Sequence, residues 1–246
     1  MTSTAPLAAP TSAVDVHPLD QAAWASLTGQ HAHFALGIGL ARRYPADVSP
    51  FAAVSSYEER AWADLRELYG PDEVAGLSGP PGFTKRPPAG WDIEGAVRGV
   101  QLVATPALVS APDDEAFVIG PADAAEALDL VLRTEPGPFR PRTYELGTYL
   151  GIRREGRLIA LAGERLHPPG WTEISAVCTD PAYRRQGIAA RLVRAVADGI
   201  RSRGETPFLH TSAANAPAIR LYQAMGFELR REVEFAALRP ASAGGG

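Results

Sequence analysis

The chain has 246 residues, of which 46% are hydrophobic, and its formal net charge is −4. This length allows one large domain or two smaller ones. An acidic chain is not expected to bind nucleic acid, and no apolar run approaches the roughly 18 residues of a membrane helix. Cys178 is the only cysteine, which excludes an internal disulfide, so we predict a reducing, cytoplasmic location.

The first half of the chain is predicted to be an α/β domain without a cofactor motif. We expect a disordered leader at 1–14 and an N-terminal domain at 15–112. A segment at 106–115, with two prolines and an acidic run, is predicted to link the two halves. The elements predicted before it are a helix at 19–27, a strand at 51–54, a helix at 57–68, a loop at 79–90 and a strand at 99–105.

The second half is predicted to be another α/β domain, at 113–239, followed by a disordered tail at 240–246. Its strands and helices alternate in a way that by itself indicates only a mixed α/β fold. The predicted strands are 116–119, 146–153, 157–165, 172–179, 207–211 and 227–238. The predicted helices are 121–133, 187–203 and one that begins at Asn215.

The turn that precedes the helix at 187–203 is the most informative segment of the sequence. A predicted strand ends at Asp180-Pro181, and the chain then passes through Arg184-Arg185-Gln186-Gly187 into the helix. Backbone N–H groups at a helix N-terminus carry partial positive charge and favour an anion. Gly187 lets a ligand approach the main chain because it has no Cβ. These features together predict a site for a phosphate-bearing molecule.

Two blocks of sequence resemble the GCN5-related N-acetyltransferase (GNAT) family. The first is Arg184-x-x-Gly187-x-Ala189, and the second is Asn215-x-x-Ala218-x-x-Leu221-Tyr222 followed by Gly226-Phe227. The resemblance implies the mixed α/β fold of that family, with acetyl-CoA or a related acyl-CoA as donor and without a metal. It covers about residues 116–238. We expect the N-terminal half to be a degenerate copy of the same fold, as in the glycine N-acyltransferase-like branch.

The resemblance also implies which residues hold the donor. The strand that carries Val177 and Thr179 would splay from its neighbour, so that their backbone groups pair with the pantetheine amides. Cys178 lies between them and is expected to be a small buried residue rather than a nucleophile. The residues implied to bind the donor are Val177, Cys178, Thr179, Arg184, Arg185, Gln186, Gly187, Ile188, Ala189 and Asn215.

Three residues are candidates for acid–base chemistry. Asn215 and Tyr222 are seven residues apart and share one helix face, which lets Tyr222 reach the sulfur and protonate the leaving thiolate. Glu173, expected on the same strand face as Val177, and His210 are both candidate bases for the amine. The choice between them stays open, because some relatives have a glutamate at the position of His210.

The sequence thus predicts an acyltransferase that moves an acetyl group from acetyl-CoA to a primary amine of a small molecule or peptide by direct attack. Another acyl donor, or a non-catalytic CoA-binding sensor or scaffold, is the alternative. We expect a bacterial protein, since its excess of Ala, Gly, Pro and Arg is typical of a GC-rich genome. The sequence does not identify the acceptor, and it leaves a homodimer open.

Overall fold

The computed structural model describes residues 17–85 and 88–242. The predicted leader at 1–14 and most of the predicted tail, residues 243–246, lie outside the described residues. The α-helices are α1 (Ala22–Leu27), α2 (Glu59–Glu67), α3 (Ala124–Thr134), α4 (Ile188–Ser202) and α5 (Ala216–Met225). The strands are β1 (Leu36–Ile38), β2 (Ala41–Arg43), β3 (Ala52–Val54), β4 (Ala75–Gly79), β5 (Trp91–Ala104), β6 (Phe117–Val118), β7 (Tyr149–Arg154), β8 (Arg157–Glu164), β9 (Trp171–Thr179), β10 (Thr206–Ser212) and β11 (Phe227–Pro240).

Eight of these strands form one mixed sheet in the order β4-β11-β5-β10-β9-β8-β7-β6. Its pairs are antiparallel except for β9 with β10, which are parallel and connected by α4. A smaller sheet, β1-β2-β3, lies beside β4, where an isolated parallel bridge joins Phe51 to Gly76. The predicted mixed α/β fold is therefore confirmed.

The two halves of the chain repeat the same order of elements. In each half an antiparallel meander (β1-β2-β3 or β7-β8-β9) is followed by a helix (α2 or α4) and a strand parallel to the last one. The final strand of each half then pairs with the other half, since β5 lies against β10 and β11 against β4. The repetition supports a degenerate copy of the fold in the first half, which stays a prediction.

The exchange of strands bears on the domain organisation. Strands from both sides of residue 112 share main-chain hydrogen bonds, most extensively between β5 and β11. The division into units at 15–112 and 113–239 stays a prediction, but the two units would not have separate sheets. The segment at 106–115 contains no helix or strand, and its role as a linker stays a prediction.

Most predicted elements of the second half lie within a few residues of their observed bounds. The apolar positions of α4 that repeat every four residues, Ile188, Leu192, Val196 and Ile200, are all buried against the sheet. Strands β1, β2 and β4 were not predicted, because they are short and carry glycine or charged residues. Strand β5 begins earlier than predicted, since a polar, exposed stretch precedes its buried end.

A buried hydrogen-bond cluster around His31 ties the first helix to the second half. His31 Nε2 donates to the carbonyl oxygen of Leu146 at 2.9 Å, and Nδ1 therefore accepts from the Tyr44 hydroxyl at 2.8 Å. Burial lowers the pKa of His31 to about 3, and the neighbouring His167 ring contributes to the shift. The cluster consequently requires the neutral imidazole.

We expect the stability of the protein to fall as the pH drops from about 6.5 towards 3. Over this range the unfolded chain binds a proton at His31 that the folded chain does not, so each pH unit removes at most about 1.4 kcal/mol. Urea unfolding at several pH values would measure the slope. His31→Gln should flatten it, whereas His33→Gln, which changes an exposed residue, should not. Equal slopes in both variants would contradict the prediction.

Candidate active site

The turn before α4 presents unpaired backbone N–H groups. Among the described residues, the N–H groups of residues 185–190 have no hydrogen-bond acceptor, and the first amide of the segment that is bonded is Arg191, to the Gly187 carbonyl at 3.1 Å. Arg185 and Gly187 both have positive φ, 64° and 75°, which winds the chain into a tight loop. Such a nest of amides at a helix N-terminus is suited to a phosphate group.

Gly187 is the residue in this turn that a side chain would alter most. A Cβ built there would meet no atom within 4 Å, so it would project into open space. The backbone conformation also favours glycine, because φ is in the left-handed region. The open space is part of the cavity that the adjacent strands line.

Strands β9 and β10 separate beside this turn. Their parallel pairing ends at Ile174 and Leu209, although β9 continues to Thr179 and β10 to Ser212. Beyond that point β9 pairs only with β8 on its other side. The edge of β9 that faces β10 is thus free to bond an extended ligand, as the resemblance implied.

A β-bulge in β9 changes which side chains face the opening. Cys178 pairs with Leu161 and Ser175 with Gly163, so Ala176 and Val177 both lie opposite Ala162. Ala176 has a φ of 53°, and Val177 packs with the core under α4 on the same side as Ile174. The prediction that Glu173 and Val177 share a strand face was therefore wrong, since the bulge shifts the alternation by one residue.

The amide nest and the strand opening meet in one cavity of about 530 Å³. All the residues predicted to bind the donor line it except Gln186. The sequence analysis missed the contribution of the end of α3, where Thr134, Glu135 and Pro136 form part of the wall. The sequence shows only that the helix must end before Pro136. It does not show which part of the protein the end of the helix packs against.

The arginines of α4 and its preceding turn have two different roles. Arg191 forms ion pairs with Asp113 and Glu115, and Arg203 forms one with Glu164. Arg201 donates hydrogen bonds to two backbone carbonyls near residues 105–108. Arg184 donates to the Thr179 carbonyl at 3.2 Å and lines the cavity. Arg185 also lines it and has no partner among the described residues. Arg194 on α4 is also without an ion pair among the described residues, but it does not line the cavity. Arg184 and Arg185 are therefore the arginines that bring positive charge to the cavity.

Asn215 and Tyr222 are both on α5 but in different surroundings. Asn215 caps the helix by accepting from the Ala218 N–H at 3.2 Å, and it also lines the cavity. Tyr222 is only 8% exposed and packs against Phe227, with ring centroids 6.1 Å apart. Tyr222 itself is not among the residues that line the cavity, although the neighbouring Leu221 is. Burial raises the pKa of the Tyr222 hydroxyl to about 12. The phenol is therefore protonated at neutral pH.

Cys178 is buried in the core between β8 and α3, and a small part of it reaches the cavity. Burial raises the pKa of its thiol to about 11. Within the described residues no group of three or more His, Cys, Asp or Glu side chains is arranged to hold a metal ion. The thiol is thus protonated, and it lacks the features of an activated nucleophile.

Glu173 is fully buried on the opposite face of the sheet from α4. Arg165 donates to both its oxygens, Nε to Oε2 at 2.8 Å and Nη2 to Oε1 at 2.6 Å, and His210 Nδ1 lies 2.7 Å from Oε1. Burial raises the pKa of this carboxyl, but Arg165 and His210 outweigh burial and hold the pKa at about 2. Both oxygens are occupied, and Glu173 does not line the cavity.

His210 is held by a residue from the first half of the chain. Since Nδ1 donates to Glu173, the basic nitrogen is Nε2, and it accepts from the Gln101 side-chain amide at 3.0 Å. The amide orientation follows from its other bonds, because Nε2 of Gln101 also donates to the Leu19 carbonyl and Oε1 accepts from Arg230. An acceptor amine could reach the lone pair only if Gln101 moved aside.

Comparison with known proteins agrees with this geometry. Residues 149–236 match the family model described as FR47-like protein. Over 130 residues the chain is 33% identical to the N-alpha-acetyltransferase RimI of Mycobacterium tuberculosis, covering 47% of this chain and 81% of that protein. The chain belongs to the GNAT family of acetyltransferases. As expected for this family, it is 32% identical to a mycothiol acetyltransferase of Thermomonospora curvata, although it spans only 37% of that protein.

A solved structure supports the same assignment over nearly the whole chain. A putative GNAT acetyltransferase from Novosphingobium aromaticivorans is 38% identical, with a TM-score of 0.85, and the match covers 92% of this chain and all of the other. The narrower resemblance to the glycine N-acyltransferase-like branch stays a prediction. In the described part of this GNAT acetyltransferase, no helix has the length and apolar character required to cross a bilayer.

Proposed function

We propose that this GNAT acetyltransferase transfers an acetyl group from acetyl-CoA to a primary amine by direct attack in a ternary complex. The observation that carries the proposal is the meeting of the free amides at 185–190 with the open edge of β9 in one cavity. The amides, Arg184 and Arg185 would bind the pyrophosphate. The backbone of Val177 and Thr179 would pair with the pantetheine arm, and one of its N–H groups would polarise the thioester carbonyl.

An α-amine is the acceptor that this site would handle with least assistance. At pH 7 about a tenth of α-amines are neutral, compared with a few lysine side chains per ten thousand. The side chains of both candidate bases are buried, and the lone pair of His210 is occupied, which makes strong base assistance costly. The N-alpha-acetyltransferase activity in the name of the related RimI supports the same choice.

The proposal is tested by calorimetry with acetyl-CoA, followed by release of free CoA thiol with a panel of amines. The panel should include short peptides with a free N-terminus and the same peptides blocked at the N-terminus but carrying lysine. We expect binding of acetyl-CoA and turnover of the free N-terminus. Binding without turnover on the whole panel would favour a CoA sensor, and turnover with only a longer acyl-CoA would favour another donor. No binding of any CoA species would refute the proposal.

For the base, we propose that His210 accepts the proton at Nε2 once Gln101 has moved aside, and that Glu173 orients the imidazole ring. His210→Gln is then expected to lower kcat by about 10²-fold or more and to remove the acidic limb of the pH–rate profile. Glu173→Gln should lower kcat while retaining that limb, because the imidazole is still present. If neither variant alters the limb, an ordered water would be the base instead.

A further inference from the structure

A second cavity lies in the first half of the chain, outside the site described above. Its volume, about 540 Å³, is within the range of roughly 300–1,000 Å³ that is typical of ligand pockets. Its walls include the three aromatic rings of Tyr57, Trp62 and Phe83, and the rings of Pro80 and Pro88. Glu59 is the only acidic residue of the described lining, which contains no basic residue.

The cavity of about 530 Å³ in the second half, which is proposed to bind acetyl-CoA, is called the donor cavity below. The second cavity occupies the equivalent position in the first half. The donor cavity is lined by the end of β9, the start of α4 and the start of α5, which follows β10. The second cavity is lined by the turn after β3, the start of α2 and the 3₁₀ helix Phe83–Lys85, which follows β4. The repeated fold thus contains two cavities of similar size in equivalent places.

The chemistry of the two cavities is opposite. The helix of the donor cavity follows a turn with Arg184, Arg185 and Gly187, whereas α2 begins with Glu58 as its cap and Glu59 as its first residue. Carboxylates at a helix N-terminus take the position that a phosphate would need, and they repel it. The second cavity is therefore unsuited to the pyrophosphate of CoA.

The Tyr57 and Phe83 side chains pack closely against the backbone at Gly79, next to the cavity. A Cβ at Gly79 would lie 2.7 Å from the Tyr57 hydroxyl and 2.8 Å from the Phe83 ring. The Tyr57 ring is 6.1 Å from Trp62 and 6.0 Å from Phe83, measured between centroids. Glu234 holds the 3₁₀ helix in place by accepting from the Gly82 N–H at 2.7 Å and from Thr84. These contacts give the rings a defined arrangement.

We propose that this second cavity binds an organic ammonium ion with an apolar body. Faces of Trp and Tyr attract a cation by their quadrupoles, and the Glu59 carboxylate adds a complementary charge. Among the described basic side chains nearby, Arg60 is paired with Asp64 at 2.9 Å, and Lys85 lies close enough to Glu234 to lower the pKa of that carboxyl. Arg231, whose charge acts on Tyr57, is paired with Asp20 at 2.6 Å. The site is separate from the donor cavity, so its ligand would bind without competing with CoA.

The test is calorimetric titration of the full chain with phenethyltrimethylammonium and with its neutral isostere, in which carbon replaces the nitrogen. A quaternary ammonium has no N–H to lose and cannot be acetylated, so turnover at the active site does not contribute. We expect the cation to bind at least about tenfold more tightly than the neutral isostere. Acetyl-CoA, added to saturation, should leave the affinity for the cation unchanged.

Variants at exposed positions separate a specific site from a general affinity for apolar ions. Glu59→Gln and Tyr57→Ala are each expected to weaken binding of the cation by about fivefold. Glu67→Gln, which neutralises an exposed acid on the same helix away from the cavity, should have no effect. Absence of binding, equal affinity for the neutral isostere, or displacement of the cation by CoA would each overturn the proposal.

Discussion

Replacing Gly187 with valine is expected to weaken the binding of acetyl-CoA by at least about 100-fold. The valine side chain would enter the open space over the free amides of residues 185–190, where the pyrophosphate is proposed to bind. It would also have to adopt a φ near 75°, which costs an L-residue roughly 1–2 kcal/mol and a β-branched residue more. Isothermal calorimetry on protein shown to be folded by circular dichroism would measure the loss.

Gly204 offers a matched control for this substitution. It follows the other end of α4 with a φ of 77°, and a Cβ there would also meet no atom within 4 Å. Gly204→Val should therefore impose a similar backbone strain without entering the donor cavity. We expect both variants to lose thermal stability and only the Gly187 variant to lose affinity. Equal affinity in the two variants would show that the amide nest does not hold the donor.

Replacing Tyr222 with phenylalanine is expected to lower the rate of acetyl transfer by about 100-fold, with little change in the affinity for acetyl-CoA. A thiol similar to cysteine has a pKa near 8.5, so complete transfer of a proton from a phenol at about 12 would cost roughly 5 kcal/mol. Tyr222 should therefore act mainly by a hydrogen bond to the developing thiolate. The expected reduction in the rate of acetyl transfer is therefore at the lower end of the range found when a general acid is removed. Single-turnover measurements would isolate the chemical step.

Tyr149 provides the control for the loss of a buried hydroxyl. It is also buried, its hydroxyl lacks a partner among the described residues, and burial raises its pKa. It lies in the core cluster under α3, however, whereas Tyr222 lies in the cluster under α4 that Val177 packs against. Tyr149→Phe should leave the transfer rate unchanged, and its stability should be equal or slightly higher because an unpaired polar group is removed. A full rate in Tyr222→Phe would exclude that residue as the acid.

Much of the proposed donor site could be predicted because its residues are close together in the sequence. Arg184, Gly187 and Ala189 belong to one turn, and the helix that follows has a regular apolar face. A turn that leads into a helix leaves the first N–H groups of the helix unpaired, whatever the rest of the fold is. Asn215 could be placed in the same way, since a capping residue depends only on its own helix.

The surroundings of the candidate bases could not be predicted in this way. Glu173 is bonded to Arg165 on a neighbouring segment, and His210 is bonded to Gln101, more than a hundred residues earlier. Both contacts depend on which strands are adjacent in the sheet. The alternation of β9 predicted the wrong face for Val177, because a bulge at Ala176 leaves no signal in the pattern of apolar residues.

The sequence by itself determined the family, the turn that is proposed to bind the donor and the helix that carries Tyr222, because these depend on short-range chemistry. The tertiary structure alone decided that β5 and β11 exchange between the halves, and that the first half contains an aromatic cavity where the second has its donor cavity. Strand pairing joins residues that are distant in the chain. It does so through main-chain N–H and C=O groups, which are nearly the same in every residue type. Side-chain patterns therefore carry little information about which strands become neighbours.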